Sequence, residues 1–218
     1  MSSPRQFSEN FGRFWTWMTP SVDKRLEPIK TEIGLRGLSG RIIEIGAGAG
    51  PNFKYYNPSK VDHVTAIEPN AVMHAKLTEE AAKHGFTKEK GNLTILLQAL
   101  EDVVIAPESA DAIVSTLVLC SVTSLPGSAK QLASWLKPGG KLLFLEHVAY
   151  KPNTFGLSFQ KYIRDGWAYI GDGCDLTRQT HEVLKSDGNL DVTILGDQRD
   201  TVYSIAPQVW GFATKSKL

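Results

Sequence analysis

Cysteine is scarce in this chain of 218 residues: Cys120 and Cys174 are the only two. Two cysteines cannot build a disulfide framework or a four-ligand zinc site, and no His/Cys/carboxylate ligand cluster is read, so no metal is expected and a reducing compartment fits. Long apolar runs are missing as well. None reaches the roughly 18 residues that a spanning helix needs, so no membrane span is expected. The start, MSSPRQFSENFGRF, has no cationic stretch leading into an apolar one, and no secretory signal is read there. An excess of either charge is also lacking, since 24 basic residues face 23 acidic ones for a net charge of +1. That balance gives no electrostatic reason to expect a nucleic-acid partner. What is present, 42% hydrophobic and 22% charged residues without repeats or long linkers, is the composition of one soluble intracellular domain.

From Arg41 onward, short runs rich in Ile, Leu and Val alternate with helix-like stretches, which predicts an α/β fold built on a parallel sheet. Strands are expected at 41–45, 61–67, 93–97, 112–116 and 141–145, with a last pair at 191–195 and 209–214. Asn70 is placed to cap a helix that runs through Ala75 and Ala82 and stops at Gly85. A second helix begins near Ser124 with Ala129, Leu132, Ala133 and Leu136 on one face, and Pro138-Gly139-Gly140 is expected to end it. Further helices are read at 155–170 and 177–185, and residues 5–35 read as one or two more. The aromatics Phe7, Phe11, Phe14, Trp15 and Trp17 crowd that first stretch. They either staple the helix onto the sheet or form a lid that shapes an apolar pocket, with Phe11 and Trp15 toward a substrate.

The most informative segment is Arg41-Ile-Ile-Glu-Ile-Gly-Ala-Gly-Ala-Gly50, a strand feeding into glycines, with a helix expected near Asn52. Glycines at the carboxyl end of a first strand let the backbone turn sharply and approach a ligand. The dinucleotide spacing G-x-G-x-x-G would need glycine at 51, where Pro51 stands, which counts against an oxidoreductase. Glu44, inside the strand, can anchor the loop or meet a cationic ligand end. Glu68 lies 22 residues beyond Gly46, at the tip of the second strand. A carboxylate there can take both hydroxyls of a ribose, although an acidic helix-start residue would occupy the same place.

The blocks EIGAGAG, IEP, ALED at 99–102 and LKPGGKLLFLEHV together resemble a class I S-adenosylmethionine-dependent methyltransferase. A narrower resemblance follows from NFKYY, TLVLCSV, EHV, DGCDLTR and GFATK, which are similar to the methyltransferase-like 7 proteins that methylate small thiols. The resemblance implies a single Rossmann-like domain over 38–215, helices on both faces, and seven mostly parallel strands with the last antiparallel. Residues 1–37 would be its helical cap. It implies S-adenosyl-L-methionine as cofactor, with Gly46, Ala47 and Gly48 toward the methionine part and Glu68 on the ribose. Pro69 would pack on the adenine, Ala99, Leu100 and Glu101 would line its edge, and Thr116 and Leu117 would flank the sulfonium. The family carries a hydrophobic anchor at its start that this sequence does not show.

For the chemistry, a thiol acceptor needs little help from a base, whereas a hydroxyl or amine would need more. His147, ending the fifth strand, is the best-placed base by topology, and a polar structural role is open to it as well. Asp172 is a second catalytic candidate, or a residue of a glycine-flanked turn. Cys120 falls near the expected methyl position and Cys174 in the Asp-Gly-Cys turn; both read as substrate-side residues or as small buried hydrophobes. Trp167 and Tyr169 are expected to add a pocket wall. The acceptor is a small molecule, most simply a thiol; an O-, N- or C-acceptor, or a cofactor-binding scaffold without transfer, remains open. The closing Ser216-Lys217-Leu218 matches a peroxisomal import address, which makes an import receptor the expected partner.

Overall fold

The computed structural model describes residues 7–200 and 204–217. Seven strands form one sheet: β1 (Gly40–Ile45), β2 (Val61–Ile67), β3 (Leu93–Leu96), β4 (Ala110–Thr116), β5 (Leu136–His147), β6 (Leu190–Asp197) and β7 (Gln208–Lys215). Their order is β3-β2-β1-β4-β5-β7-β6. Strand β1 is central because Ile42, Ile43, Glu44 and Ile45 are all buried, and helices cover both faces of such a strand. It pairs in parallel with β2 (Ile43↔Thr65) and with β4 (Ile43↔Ile113). Strand β7 runs antiparallel to both neighbours, β5 (Phe144↔Gly211) and β6 (Ile194↔Gly211). The expected α/β sheet with an antiparallel last strand is what the chain forms.

One face of the sheet packs Ile113 and Phe144 against Leu132 of α3 (Leu125–Trp135) and Leu184 of α5 (Thr180–Ser186). The other packs Ile42 and Val114 with Leu77 of α2 (Ala71–Lys83) and Leu26 of α1 (Glu9–Glu32). Each such leucine, fully buried, stabilises the fold by about 1.5–3 kcal/mol. Residues 9–32 are one helix, capped by Ser8 accepting from Phe11 N–H, although Pro20 and Pro28 lie inside it. Both prolines are on the exposed side, where water can take the carbonyls they leave unpaired. Among the described residues no helix is long and apolar enough to cross a membrane.

Three expectations are corrected. The helix expected near Asn52 is a single 3₁₀ turn, Phe53–Tyr55, because Phe53, Tyr55 and Tyr56 must all reach the core within a short crossover. Helix α3 stops at Trp135, before the Pro-Gly-Gly run: Leu136 already pairs with Ala110, and pairing resumes at Lys141 opposite Ala112. Pro138-Gly139-Gly140 thus forms a bulge within β5 rather than a helix end, with Gly139 at φ 79°. Helix α5 starts at Thr180 rather than 177 because Asp175 accepts from the backbone and hydroxyl of Thr177 and turns the chain first. Helix α4 (Phe155–Ile170) is tied down by buried Gln160, which accepts from Tyr150 N–H and donates to Val148 and Ile205 carbonyls.

Candidate active site

The sheet order reverses between β1 and β4, and a crevice opens at the carboxyl ends of the strands at such a switch point. A cavity of about 450 Å³ lies there. Each neighbouring strand contributes residues at its carboxyl end: Gly46 and Gly48 just past β1, Glu68 past β2, Leu117 past β4, and His147 as the last residue of β5. Phe11 and Trp15 of α1 cover it from one side, and Trp167 of α4 from another.

The floor is the glycine loop. Gly46 has φ 56°, and a Cβ there would overlap the Val118 side chain, so only glycine fits. Gly48 also has φ 56°, but a Cβ on it would meet nothing nearer than Met73 Sδ at 3.8 Å, which leaves its backbone open to a ligand. Glu44 sits beneath the loop, accepting from Asn52 Nδ2 at 2.9 Å and Tyr56 Oη at 2.7 Å. Complete burial pushes its carboxyl up to about 7.

Glu68 closes the loop from the other side. Its Oε2 accepts from Gly48 N–H and its Oε1 from Asn70 N–H, both at 2.8 Å. Burial raises this carboxyl to about 7 as well, against those two hydrogen bonds. Each oxygen keeps a further lone pair for a donor in the cavity. Asn70 does more than cap α2, because its Nδ2 donates to Ser8 C=O and the backbone of Gly12 closes onto its side chain. The amino end of α1 is therefore fixed to the β2–α2 junction.

At the end of β4 the backbone is strained. Leu117 has φ 61°, a left-handed conformation costing a non-glycine residue about 1–2 kcal/mol. Buried Glu146 holds it there by accepting from Ser115 Oγ and Val118 N–H, while Leu117 N–H donates to Leu145 C=O. Just beyond, Cys120, His147 and Cys174 meet. The two sulfurs are 3.4 Å apart, and His147 Nδ1 lies 3.8 Å from Cys120 Sγ and 3.7 Å from Cys174 Sγ. The contact with Cys120, supported by His147 against burial, holds Cys174 down to about 5; the same contact and full burial push Cys120 up. The DGCDLTR turn is pinned on the β4 loop by backbone, since Asp175 N–H donates to Cys120 C=O and Arg178 Nη1 to Leu119 C=O, both at 2.9 Å.

A family described as "Methyltransferase domain" matches residues 14–190. The thiol S-methyltransferase TMT1B of Homo sapiens is 34% identical over 78% of this chain and 70% of its own length. The chain belongs to the methyltransferases. The thiol S-methyltransferase TMT1A of Homo sapiens is also similar, 30% identical over 82% of this chain and 73% of its own. Among solved structures, Haemonchus contortus phosphoethanolamine N-methyltransferase 2 with S-adenosylhomocysteine shares the fold at TM-score 0.69 and 15% identity, covering 100% of this chain and 61% of that one. The [4+2]-cyclase SpnF does so at 0.67 and 14%, covering 99% and 98%. The methyltransferase uses S-adenosylmethionine. The cavity suits that cofactor: Gly48 offers unobstructed backbone, Glu68 keeps free lone pairs, and the rest of the lining is largely apolar.

Of the residues the sequence pointed to, Gly46, Gly48, Glu68, Pro69, Ala99, Leu100, Glu101, Thr116 and Leu117 all line the large cavity. So do Phe11, Trp15, Cys120, Trp167, Cys174, His147 and Asp172. Glu44 does not line it; its carboxylate is spent on Asn52 and Tyr56 behind the loop. Ala47 faces a separate cavity of about 40 Å³. Glu101 already accepts from Thr123 N–H with one oxygen, tying the β3 tip to the β4 loop. Asp172, at φ 48°, accepts from Ser8 N–H at 3.4 Å and so joins the α4 end to α1. Tyr169 is a correction: it is 90% exposed and forms no wall. Trp17 is likewise turned away, 77% exposed. A second correction concerns the ligand-type side chains, since the expected lack of any such cluster fails at Cys120, His147 and Cys174.

The sequence reading missed Asp23 and Lys30, which line the small cavity beside Ala47, Thr116 and Leu117. They pair at 2.7 Å inside α1. Their signal was two opposite charges seven residues apart, flanking core-facing Leu26 on the same helix.

Proposed function

We propose that the methyltransferase acts on the sulfur of a small apolar thiol. The observation that carries this is the similarity to thiol S-methyltransferases across most of both chains, joined to an apolar cavity. When bound, S-adenosylmethionine supplies an electrophilic methyl on a sulfonium. The chain's own residues do the rest. Glu68 takes the ribose hydroxyls, Gly46 and Gly48 let the backbone close on the methionine part, and Asp23 and Lys30 offer opposite charges to its zwitterionic end. Ala99, Leu100 and Glu101 border the adenine. Phe11 and Trp167 exclude water and orient the acceptor, and such orientation can supply roughly 7–11 kcal/mol of the barrier. His147 and Asp172 stand at the acceptor end. Thiols methylated in the presence of the cofactor, with phenols and amines inert, support this reading; the reverse pattern refutes it.

The charge state of Glu68 sets a pH dependence. In the free protein its carboxyl is raised from 4.5 to about 7, and Glu44 likewise. Groups raised in this way stabilise the fold below their unfolded pKa and lose that contribution as pH rises through about 7. Between pH 5 and 7.5 these two carboxyls therefore lower the melting temperature of the free protein, against a gain over the same range from Cys174, whose thiol is held down to about 5. Cofactor affinity should move the other way. Ribose hydroxyls donate best to the ionised carboxylate, so affinity falls toward about tenfold per pH unit below 7. Calorimetry should show proton release on binding at pH ~6; affinity flat across the range would contradict it.

For location we propose the peroxisome. The support is the Ser216-Lys217-Leu218 ending, of which Ser216 and Lys217 are exposed and Leu218 lies outside the described residues. Ser216 N–H still donates to Asn189 C=O, so the tail leaves the sheet at Lys217. A fluorescent protein fused to the amino terminus should give a punctate peroxisomal signal that disperses when Leu218 is deleted. A diffuse signal with the tail intact overturns the address.

A further inference from the structure

The acceptor end of the cavity holds three metal-ligand atoms, and this is the single cluster of three such residues among those described. Their separations are 3.4 Å between the sulfurs and 3.8 and 3.7 Å from them to His147 Nδ1. A tetrahedral zinc ion with Zn–S of about 2.3 Å and Zn–N of about 2.0–2.1 Å has S···S edges of about 3.8 Å and S···N edges of about 3.6 Å. The triangle in the chain matches one face of that tetrahedron to within a few tenths of an ångström. It does not depend on the sulfurs attracting each other. Asp175 N–H on Cys120 C=O and Arg178 on Leu119 C=O press the two loops together through backbone carbonyls. All three residues line the cavity, so a fourth position faces acceptor space. Three protein ligands with an open fourth is the pattern of catalytic zinc, whereas structural zinc is closed by four.

We infer that Cys120, Cys174 and His147 bind a zinc ion whose open fourth position receives the sulfur of the acceptor. This rests on the thiol reading above. Both cysteines bind as thiolates, and their protons leave to solvent as the ion enters. A thiol entering the fourth position likewise gives its proton to water and binds as thiolate. Its sulfur then forms the new S–C bond to the methyl, the methyl–sulfonium bond breaks, and that electron pair stays on the cofactor sulfur. The product is a neutral thioether, a weaker ligand than the thiolate it replaces, so it departs. An alcohol or amine gains less from this soft site, which would account for selectivity toward sulfur.

The test begins with protein purified under reducing conditions and stripped by a chelator, then titrated with zinc and separately with cobalt(II). The expected result is one ion per chain, with a thiolate-to-cobalt charge-transfer band that shifts when a small alkyl thiol is added. Cys174→Ser should weaken metal binding by about 100-fold or more, since even outer-shell partners of metal ligands are worth 10–100-fold. His147→Gln provides a second variant should the first not fold. Stripped wild-type protein should methylate thiols slowly and recover with zinc. Stripped protein that methylates thiols at full rate, or sulfurs that oxidise to a disulfide without ever holding the ion, overturns the site and leaves the thiol reading intact. A cobalt band that no thiol shifts overturns the open fourth position. Metal bound as expected while only phenols or amines are methylated overturns the thiol reading instead.

Discussion

Replacing Glu68 with alanine is expected to weaken S-adenosylmethionine binding by tenfold or more while leaving the sheet folded. Two hydrogen bonds from ribose hydroxyls to a charged acceptor disappear, each worth roughly 1.5–3 kcal/mol. The loss reaches further than the ligand. Glu68 also accepts from Gly48 N–H and Asn70 N–H, so the alanine variant leaves the glycine loop without its partner. Glu68→Gln keeps the shape and one acceptor oxygen but turns an amide NH₂ toward one of those backbone donors. Its affinity should fall between alanine and wild type, and its melting temperature should lose the share of the pH dependence that Glu68 supplies while keeping that of Glu44. Calorimetric titration of both variants is the measurement. Unchanged affinity in the alanine variant would mean that the ribose is held elsewhere.

Phe11→Ala is expected to raise the acceptor KM by about tenfold or more, with cofactor affinity nearly unchanged. Phe11 is half-buried at the cavity wall, and an acceptor that covers its ring loses up to roughly 1.5–3 kcal/mol of apolar contact when it is removed. Phe11 lines the cavity and stacks on Trp15 with ring centroids 5.8 Å apart. Trp15 should behave differently. Its indole nitrogen lies close to Gly48, and it lines the small cavity with Asp23 and Lys30, so Trp15→Ala should weaken cofactor and acceptor alike. This divides the aromatic stretch more finely than a lid or a staple. The half of α1 carrying Leu26 is core, and the half carrying Phe11 is wall. Single substitutions are also cleaner than deleting residues 1–18, which would remove the Ser8 cap and its tie to Asn70. Initial-rate kinetics over an acceptor series separates the two; identical KM values in Phe11→Ala and wild type would make that residue a packing group only.

The strands were legible because they are buried on both faces, and pairs such as Ile42-Ile43 or Ile113-Val114 put an apolar residue on each face. The glycine loop and Glu68 were legible because backbone demands are local: φ 56° at Gly46 and Gly48 writes itself into the residue type. Leu136 misled the reading because its side chain continues the helical face of α3 while its backbone already pairs with Ala110. Asp23 and Lys30 were passed over because charges on a helix usually face water; their pairing inside α1, together with Lys54 on the second oxygen of Asp23, lets them be buried. The Cys120–His147–Cys174 cluster could not be read at all. Its members are 27 residues apart along the chain in each step, and they meet only because β4 and β5 are neighbours and the DGCDLTR turn docks on the β4 loop.

Methyl transfer to sulfur in this cavity can be followed by the fate of the methyl group itself. The most direct measurement incubates zinc-supplemented protein with S-adenosylmethionine labelled on its methyl group and matched alkyl thiols, phenols and amines, and follows label into each product. Label in the thioether, reduced about tenfold or more in Glu68→Ala at limiting cofactor, is the result expected. Label in phenol ethers or methylamines with none in thioether, or transfer undiminished in that variant, would contradict it.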